Sequence, residues 1–240
     1  MTPPAPPPGT ARHPAPENGR KAIMNYHDRR SAGRELAGEL GQRGRAGLLE
    51  KPVVLALPRG GLPVADEVAR ELHAPLDVVV VRKIGAPFNP EFAVGAVAGE
   101  DEPWYDGQTL EMLDLTPERL APRVEEERRE IRRREHLYRE GRPPADLAGR
   151  TAVVVDDGLA TGSTARVALR AVRRRGPARL ILAVPVGSPQ AVVALSREAD
   201  DVVCMWQPPY FQAVGQFYDD FAQTRDDEVV TILRESLTTR

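Results

Sequence analysis

The sequence predicts an α/β fold in which a central, mostly parallel sheet is flanked by helices. Short apolar runs rich in β-branched residues alternate along the chain with segments whose apolar residues recur at helical spacing. Strands of a parallel sheet are buried on both faces, which accounts for runs that are almost continuously apolar. Five such runs lie at 53–57, 76–81, 153–155, 180–186 and 201–205.

The composition indicates one globular domain with a sizeable core. The 240 residues are 41% hydrophobic and 28% charged, and the formal net charge is −2. This balance gives no support for a nucleic-acid partner, and no run approaches the roughly 18 apolar residues that a membrane-spanning helix needs. Because the N-terminus also lacks an apolar signal stretch, we expect a cytoplasmic protein without a membrane partner.

The N-terminal segment differs in composition from the rest of the chain. Seven of the first sixteen residues are proline, and almost nothing in this stretch could be buried. We therefore expect residues 1–23 to form a disordered tail and residues 24–240 to form the folded domain. Met24 directly precedes the first foldable segment, so both Met1 and Met24 are candidate start sites.

The folded region is expected to open with a helix after Tyr26, with Leu36 and Leu40 on its buried face. Arg29 and Arg30 precede the apolar part of this helix. Either they cap a solvated face, or one of them reaches the pyrophosphate of a ligand, and the sequence leaves both alternatives open.

A first anion site is predicted after the strand at 53–57. This strand ends at Pro58-Arg59-Gly60-Gly61, and a helix is expected over 63–72. The two glycines allow main-chain amides to approach an anion closely. Arg59 adds a fixed positive charge with a planar set of donors.

The run at 76–81 is expected to deliver Arg82 and Lys83 at the carboxyl end of a parallel strand, where open α/β sheets place their ligands. Two cations there suit a pyrophosphate group. The following stretch, 84–91, is rich in glycine and proline and predicts a loop that becomes ordered on ligand binding.

The middle of the chain predicts short strands at 95–99 and at Trp104–Tyr105, followed by a charged helix over 117–138. The arginines at 128–134 could suggest an RNA-binding face. Acids spaced four residues from these arginines indicate a solvated, ion-paired face instead.

A second anion site is predicted after the apolar run at 153–155. Asp156 and Asp157 follow this run, and the loop then continues as Gly-Leu-Ala-Thr-Gly to a helix that opens at Ser163 or Thr164. No lysine follows the second glycine, which argues against a nucleotide hydrolase P-loop. Hydroxyls and main-chain amides at a helix N-terminus suit a phosphate monoester. The two carboxylates can accept hydrogen bonds from sugar hydroxyls.

The run from Val153 to Thr164 resembles the signature of the type I phosphoribosyltransferases. That signature is an apolar strand, two acids, two or three small or apolar residues, and then Thr-Gly-Ser/Thr-Thr, and the resemblance runs through all twelve positions. It implies the fold of that family, with a small hood from the N-terminal helix and the C-terminal segment, roughly 24–47 and 205–240. It also implies that phosphoribosyl pyrophosphate is the donor substrate.

The resemblance assigns roles to the residues of both anion sites. In the family the two acids hold the ribose hydroxyls of the donor, and the following loop holds its 5-phosphate. These roles fall on Asp156, Asp157, Ala160, Thr161, Gly162, Ser163 and Thr164. Pyrophosphate binding falls on Arg59, Gly60, Gly61, Arg82 and Lys83. Family members often have a cis peptide beside the basic residue of this turn, for which Pro58–Arg59 is the candidate.

The implied reaction is displacement of pyrophosphate from C1 of the donor by a nitrogen nucleophile. Arg59, Lys83 and Mg²⁺ would stabilise the leaving group, and Asp156 and Asp157 would contact the metal mainly through water. These four residues are the expected catalytic set. Family members that act on 6-oxopurines usually have an acid where this chain has Ala160, so we expect a small nitrogen acceptor, such as a nucleobase, that is not a 6-oxopurine.

Six of the twelve aromatic residues lie between positions 206 and 221. Tyr210, Phe211, Phe217 and Tyr218 are expected to form the acceptor side of the hood. They could stack on a planar base, or they could pack the C-terminal segment onto the sheet.

A regulator that binds phosphoribosyl pyrophosphate or a nucleotide without turnover is the alternative function. Arg59, Arg82 and Lys83 favour an enzyme, because a sensor of nucleoside monophosphates needs no pyrophosphate site. The family commonly forms dimers, which makes a homodimer an expectation as well.

Overall fold

The computed structural model describes residues 25–238, except for the side chain of Glu91. The predicted tail and both candidate start sites lie outside these residues. The helices of this region are Arg29–Arg45 (α1), Gly61–Glu71 (α2), Gly107–Met112 (α3), Pro117–Arg139 (α4), Ser163–Arg174 (α5), Pro189–Leu195 (α6) and Asp226–Thr238 (α7). The strands are Val53–Ala56 (β1), Leu76–Val78 (β2), Val81–Ala86 (β3), Asn89–Ala98 (β4), Trp104–Tyr105 (β5), Thr151–Val155 (β6), Arg179–Val186 (β7) and Asp201–Trp206 (β8). None of these helices is long and apolar enough to cross a membrane.

Five strands form a parallel sheet in the order β2-β1-β6-β7-β8. The register places Ala56 of β1 opposite Val78 of β2 and Val155 of β6. Because all five strands run in one direction, their carboxyl ends share one edge of the sheet. This sheet confirms the predicted α/β class.

Helices cover both faces of this sheet, as the apolar strands required. Val54 and Ala56 of β1 point into a core that includes α1, α2, α4 and α7. Val53 and Leu55 point to the opposite face, where α5 and α6 supply the buried residues. The two-residue alternation along a strand divides one apolar run between these two cores.

A second sheet replaces the predicted loop at 84–91. The strand that begins at Leu76 ends at Val78, and β3 and β4 form an antiparallel hairpin that is extended by β5. A Cβ on Gly85 would lie 2.2 Å from the carbonyl oxygen of Pro90, so this glycine allows the close approach of the two strands. The glycines and prolines of this stretch therefore shape an irregular hairpin rather than an open loop.

Helices α3 and α7 were not predicted. Helix α7 begins with three acidic residues and buries Val229, Ile232 and Leu233. It packs against α2, α4 and β2, and its buried residues belong to the main core. The C-terminal helix is thus part of the sheet-covering layer, although the sequence-based hood extended to residue 240.

The N-terminal segment and the stretch after β8 meet in a small aromatic cluster. The amide of Tyr26 donates to the carbonyl of Phe217 at 2.9 Å, and the Tyr26 carbonyl accepts from Asp219 N at 2.9 Å. Tyr26, Phe217 and Tyr218 are buried there, with Trp206 and Phe211 packed against them. The two chain segments expected to build the hood are therefore in contact, whereas Leu36 and Leu40 of α1 belong to the main core.

Candidate active site

Two loops at the carboxyl ends of neighbouring strands meet at the candidate site. The Arg59 turn (residues 58–61) follows β1, and the acid loop (residues 156–162) follows β6. A Cβ on Gly60 would lie 2.2 Å from Asp157 Oδ2, and one on Gly61 would lie 2.7 Å from a main-chain oxygen at the end of β6. Only glycines permit this approach, which brings the main chain of the turn against the two carboxylates.

The Arg59 turn has the backbone that the resemblance implied. The Pro58–Arg59 peptide bond is cis, and α2 begins two residues later at Gly61. The Arg59 side chain is about one quarter exposed, and its Nη1 lies 3.5 Å from Asp226 Oδ1 at the start of α7. The main chain of the turn thus lies beside the acid loop, and its cation lies beside the start of α7.

The far end of the acid loop forms the N-terminus of α5. Gly162 adopts the left-handed conformation (φ +74°) and provides no side-chain cap for the helix. The hydroxyls of Thr161 and Ser163 lie 3.1 Å apart beside it. The hydroxyl of Ser188 donates to the Ala160 carbonyl at 2.7 Å and fixes the loop from the α6 side. First-turn amides, hydroxyls and the helix dipole together can bind an anion.

Asp156 and Asp157 are adjacent carboxylates in a low-dielectric setting. Burial raises the pKa of Asp156 well above its usual range, and the neighbouring charge of Asp157 adds to the increase. Burial also raises the pKa of Asp157, against the opposing effect of Arg29. The amide of Asp157 donates to Asp156 Oδ1 at 2.9 Å. These carboxylates therefore favour partners that supply positive charge or hydrogen-bond donors.

Arg29, the first residue of α1, supplies that charge to Asp157. Its Nε lies 2.7 Å from Asp157 Oδ2, and the two side chains are only 11% and 13% exposed. Its Nη1 donates to the Ala222 carbonyl at 2.7 Å, and the guanidinium lies 3.8 Å from the centre of the Phe221 ring. Arg29 is therefore not on a solvated face, and its contact with the acid loop is one that the sequence did not predict. Arg30 instead pairs with Asp66 and Glu67 of α2.

Arg82 and Lys83 lie on β3, and not at the end of a strand of the parallel sheet. Arg82 Nε pairs with Glu127 Oε2 of α4 at 2.7 Å, so its charge is directed away from the acid loop. Lys83 is exposed and points to the opposite face of the small sheet. It lies opposite Ala96, whose side chain packs against Val167 of α5. Lys83 therefore shares a face with the helix that begins at the acid loop, whereas Arg82 does not.

The four predicted hood aromatics have different environments. Phe217 and Tyr218 are buried, and the Tyr218 hydroxyl donates to the Asp157 carbonyl at 2.6 Å. Phe211 is partly buried, with its ring centre 5.0 Å from that of Phe217. Tyr210 is 81% exposed. Phe217 and Tyr218 therefore build and attach the hood. Tyr210 faces solvent, and Phe211 lines an open space beside the acid loop.

That open space is a cavity of about 470 Å³ between the acid loop, the start of α6 and the hood. Its lining includes Ala160, Thr161, Ser188, Gln190, Phe211 and Gln212. The lining contains hydroxyl and amide groups but no ionisable side chain. A flat, uncharged molecule with hydrogen-bonding edges suits this surface.

Asp156 and Asp157 are also the candidate ligands of a metal ion. Among residues 25–238, no three side chains of His, Cys, Asp or Glu lie close enough to hold a metal ion by themselves. Mg²⁺ in proteins commonly uses one or two carboxylates together with water and substrate phosphates. Asp156 and Asp157 supply the two carboxylates of that smaller requirement.

A family comparison agrees with this arrangement. The family model described as phosphoribosyl transferase domain matches residues 23–222, which include both loops and the aromatic cluster. This chain belongs to the phosphoribosyl transferase domain family. The family membership confirms the resemblance that was drawn from residues 153–164 alone.

Two relatives extend the similarity over most of the chain. The crystal structure of TT1426 from Thermus thermophilus is 46% identical, has a TM-score of 0.74, and aligns over 88% of this chain and 99% of that one. A Mycobacterium tuberculosis H37Rv protein, named provisionally as a phosphoribosyl transferase, is 45% identical over 209 residues. The alignment covers 87% of this chain but 46% of the mycobacterial protein. The chain therefore spans about half the length of this curated relative.

A shorter match involves a named enzyme. The uracil phosphoribosyltransferase of Lactobacillus delbrueckii subsp. bulgaricus is 42% identical over 59 residues, which is 25% of this chain and 28% of that enzyme.

The structure brings together part of the predicted phosphoribosyltransferase site. Gly60 and Gly61 lie against Asp157 and Asp156, and the loop from Ala160 to Thr164 continues directly from these acids. The Arg59 side chain lies beside Asp226 instead. Arg29 and Asp226 also contact members of this group, although neither was among the predicted site residues. The charge pattern of the sequence contained no signal for the Asp226 contact, and Arg29 was one of two neighbouring arginines with two possible roles.

Proposed function

We propose that this protein transfers ribose 5-phosphate from phosphoribosyl pyrophosphate to a nitrogen atom of a small, uncharged acceptor and releases pyrophosphate. The main support is the close approach of two anion-binding loops, with Gly60 lying against Asp157. A phosphate monoester and a pyrophosphate on one ribose would bind such a pair of loops simultaneously.

The donor would be held at three points. The 5-phosphate would bind the α5 N-terminus at Ala160 to Thr164, as amides at a helix start favour anions. The ribose hydroxyls would donate to Asp156 and Asp157. Asp157 would accept its hydrogen bond while Arg29 remains paired with its Oδ2.

The pyrophosphate would bind the Arg59 turn through the main chain at Gly60 and Gly61 and through the guanidinium of Arg59. Lys83 is exposed on the hairpin and could approach the ligand by movement of that hairpin. Arg82 would contribute only after leaving Glu127. Bound Mg²⁺ would neutralise pyrophosphate charge, with Asp156 and Asp157 holding it mainly through water.

The reaction would be a substitution at C1 of the ribose. The acceptor nitrogen forms a bond to C1 with its lone pair while the C1–O bond breaks. The electron pair of that bond leaves with pyrophosphate, and the nitrogen loses a proton. The protein would act by orientation and by stabilising the leaving charge at Arg59.

The acceptor would occupy the cavity beside Ala160. Phe211 offers a face for stacking, and the amides of Gln190 and Gln212 can both donate and accept hydrogen bonds. Since no ionisable side chain lines this cavity, we propose a neutral nucleobase as the acceptor in preference to an aromatic carboxylate. Ala160 offers no acid for the ring nitrogen of a 6-oxopurine.

Pyrophosphate release tests the proposal. Purified protein would be incubated with phosphoribosyl pyrophosphate, Mg²⁺ and single acceptors, including uracil, adenine, hypoxanthine and orotate. We expect release with at least one neutral base other than hypoxanthine, and no release from the Asp156→Asn/Asp157→Asn variant. Donor binding without release for every acceptor would favour the regulator, and release only with orotate would contradict the neutral acceptor.

A further inference from the structure

Three side chains link the C-terminal helix to the Arg59 turn. The hydroxyl of Tyr138, near the end of α4, donates to Asp226 Oδ1 at 2.6 Å. The same oxygen lies 3.5 Å from Arg59 Nη1. Arg133 Nη2 lies 3.9 Å from Asp226 Oδ2 and adds a second cation beside this carboxylate.

The contacts that run from Tyr138 through Asp226 to Arg59 are rigid at Tyr138 and adaptable at Arg59. The Tyr138 ring is fully buried in the main core, and burial raises the pKa of its hydroxyl, with a further contribution from Asp226. Tyr138 therefore remains a hydrogen-bond donor, and Asp226 remains the acceptor. The Arg59 side chain is 27% exposed and the Asp226 side chain 31%, so their contact can adjust when a ligand arrives.

The geometry of the Asp226 contact suits a role in which Asp226 orients Arg59, in preference to one in which it blocks Arg59. Arginine has five N–H donors in a planar fork. Its contact with Asp226 uses Nη1 at the long distance of 3.5 Å, which leaves the guanidinium the capacity to bind an anion. A long, flexible side chain that is already oriented loses less freedom when its ligand binds.

We infer that Asp226 and Tyr138 are positioning residues that hold Arg59 toward the pyrophosphate of the donor. Through Asp226, the helix at 226–238, which the sequence did not reveal, becomes part of donor recognition. This inference rests on the proposed function, because it requires pyrophosphate to bind the Arg59 turn.

Binding of two ligands distinguishes a loss of Arg59 positioning from general damage to the site. Phosphoribosyl pyrophosphate contains the group that Arg59 would bind, whereas ribose 5-phosphate lacks it. We expect Asp226→Asn to weaken phosphoribosyl pyrophosphate binding about five-fold, the upper range for a partly exposed charge pair. The affinity for ribose 5-phosphate should remain unchanged. Tyr138→Phe, which keeps the buried ring, should act in the same direction.

A matched control and a double variant test the link itself. Asp227→Asn removes the same charge from the same helical turn, and its carboxylate pairs with Arg225 instead of Arg59. It should leave both affinities unchanged. In an Arg59→Met background, Asp226→Asn should have no further effect, because the residue through which it acts is gone.

Isothermal titration of these variants, with thermal melts as a check on folding, decides the outcome. Tighter binding of phosphoribosyl pyrophosphate by Asp226→Asn would show that Asp226 competes for Arg59 and would overturn the inference. Equal affinities for Asp226→Asn and Asp227→Asn, or a parallel loss of ribose 5-phosphate binding, would also overturn it. If the unaltered protein binds no phosphoribosyl pyrophosphate, the proposed function fails and this inference fails with it.

Discussion

Replacing Arg29 with methionine provides a stringent test of the electrostatics of the acid loop. The variant keeps an apolar side chain of similar length. It removes the guanidinium whose Nε lies 2.7 Å from Asp157 Oδ2, and with it a positive charge that also acts on Asp156. Both members of the Arg29–Asp157 pair are nearly buried, and breaking such a pair by removing one partner typically costs about 3–5 kcal/mol. We expect a loss of about 3 kcal/mol in the free energy of unfolding at pH 8.

The loss should depend on pH in a defined direction. Burial already raises the pKa of both carboxyls, and removal of Arg29 would raise that of Asp157 further. Protonation at lower pH then removes the uncompensated charge, so the destabilisation should be smaller at pH 5 than at pH 8. Urea unfolding monitored by circular dichroism at the two pH values measures this difference.

Two further variants make this test specific. Arg34→Met removes an arginine from the same helix, where Nη1 lies 3.8 Å from Glu67 and the side chain is 61% exposed. It should cost less than about 1 kcal/mol. Adding Asp157→Asn to Arg29→Met should recover at least half of the lost stability, since both charges are then absent. A loss below about 1 kcal/mol for Arg29→Met, or one equal at both pH values, would refute the reasoning.

Two other predictions address the acid loop and the Arg59 turn. Asp156→Asn should raise the thermal unfolding midpoint at pH 8 but not at pH 4. The reason is that a carboxyl with a raised pKa destabilises the fold as the pH rises through that pKa. An unchanged or lower midpoint at pH 8 would argue against this prediction. Gly60→Ala should weaken phosphoribosyl pyrophosphate binding by at least about ten-fold, because its Cβ would lie 2.2 Å from Asp157 Oδ2. Gly38→Ala, where a Cβ meets nothing within 4 Å, serves as the control and should leave this affinity unchanged.

The fold was largely predictable because its signals are local. Each strand of the parallel sheet is a largely apolar run, and residues 153–164 contain a strand, two acids and a helix start in one continuous stretch. Helix α7 also has a local signal, with an acidic first turn before Val229, Ile232 and Leu233. The predicted hood, roughly 205–240, included this segment without assigning a helix to it.

The contacts that complete the site were harder to predict because they join distant parts of the chain. Arg29 and Asp157 are 128 residues apart, and Arg59 and Asp226 are 167 apart. A sequence with many arginines and acids offers many alternative pairs, and only the packing of α1 and α7 selects these two. Arg82 shows the same difficulty, because the start of a second sheet at Val81 turns this residue toward Glu127.

Calorimetric titration with phosphoribosyl pyrophosphate and Mg²⁺ tests the central claim, that the two loops form one donor site. We predict one binding event per chain, and no detectable binding for the folded Asp156→Asn/Asp157→Asn variant. Absence of binding to the unaltered protein, or retained affinity in the double variant, would contradict the account.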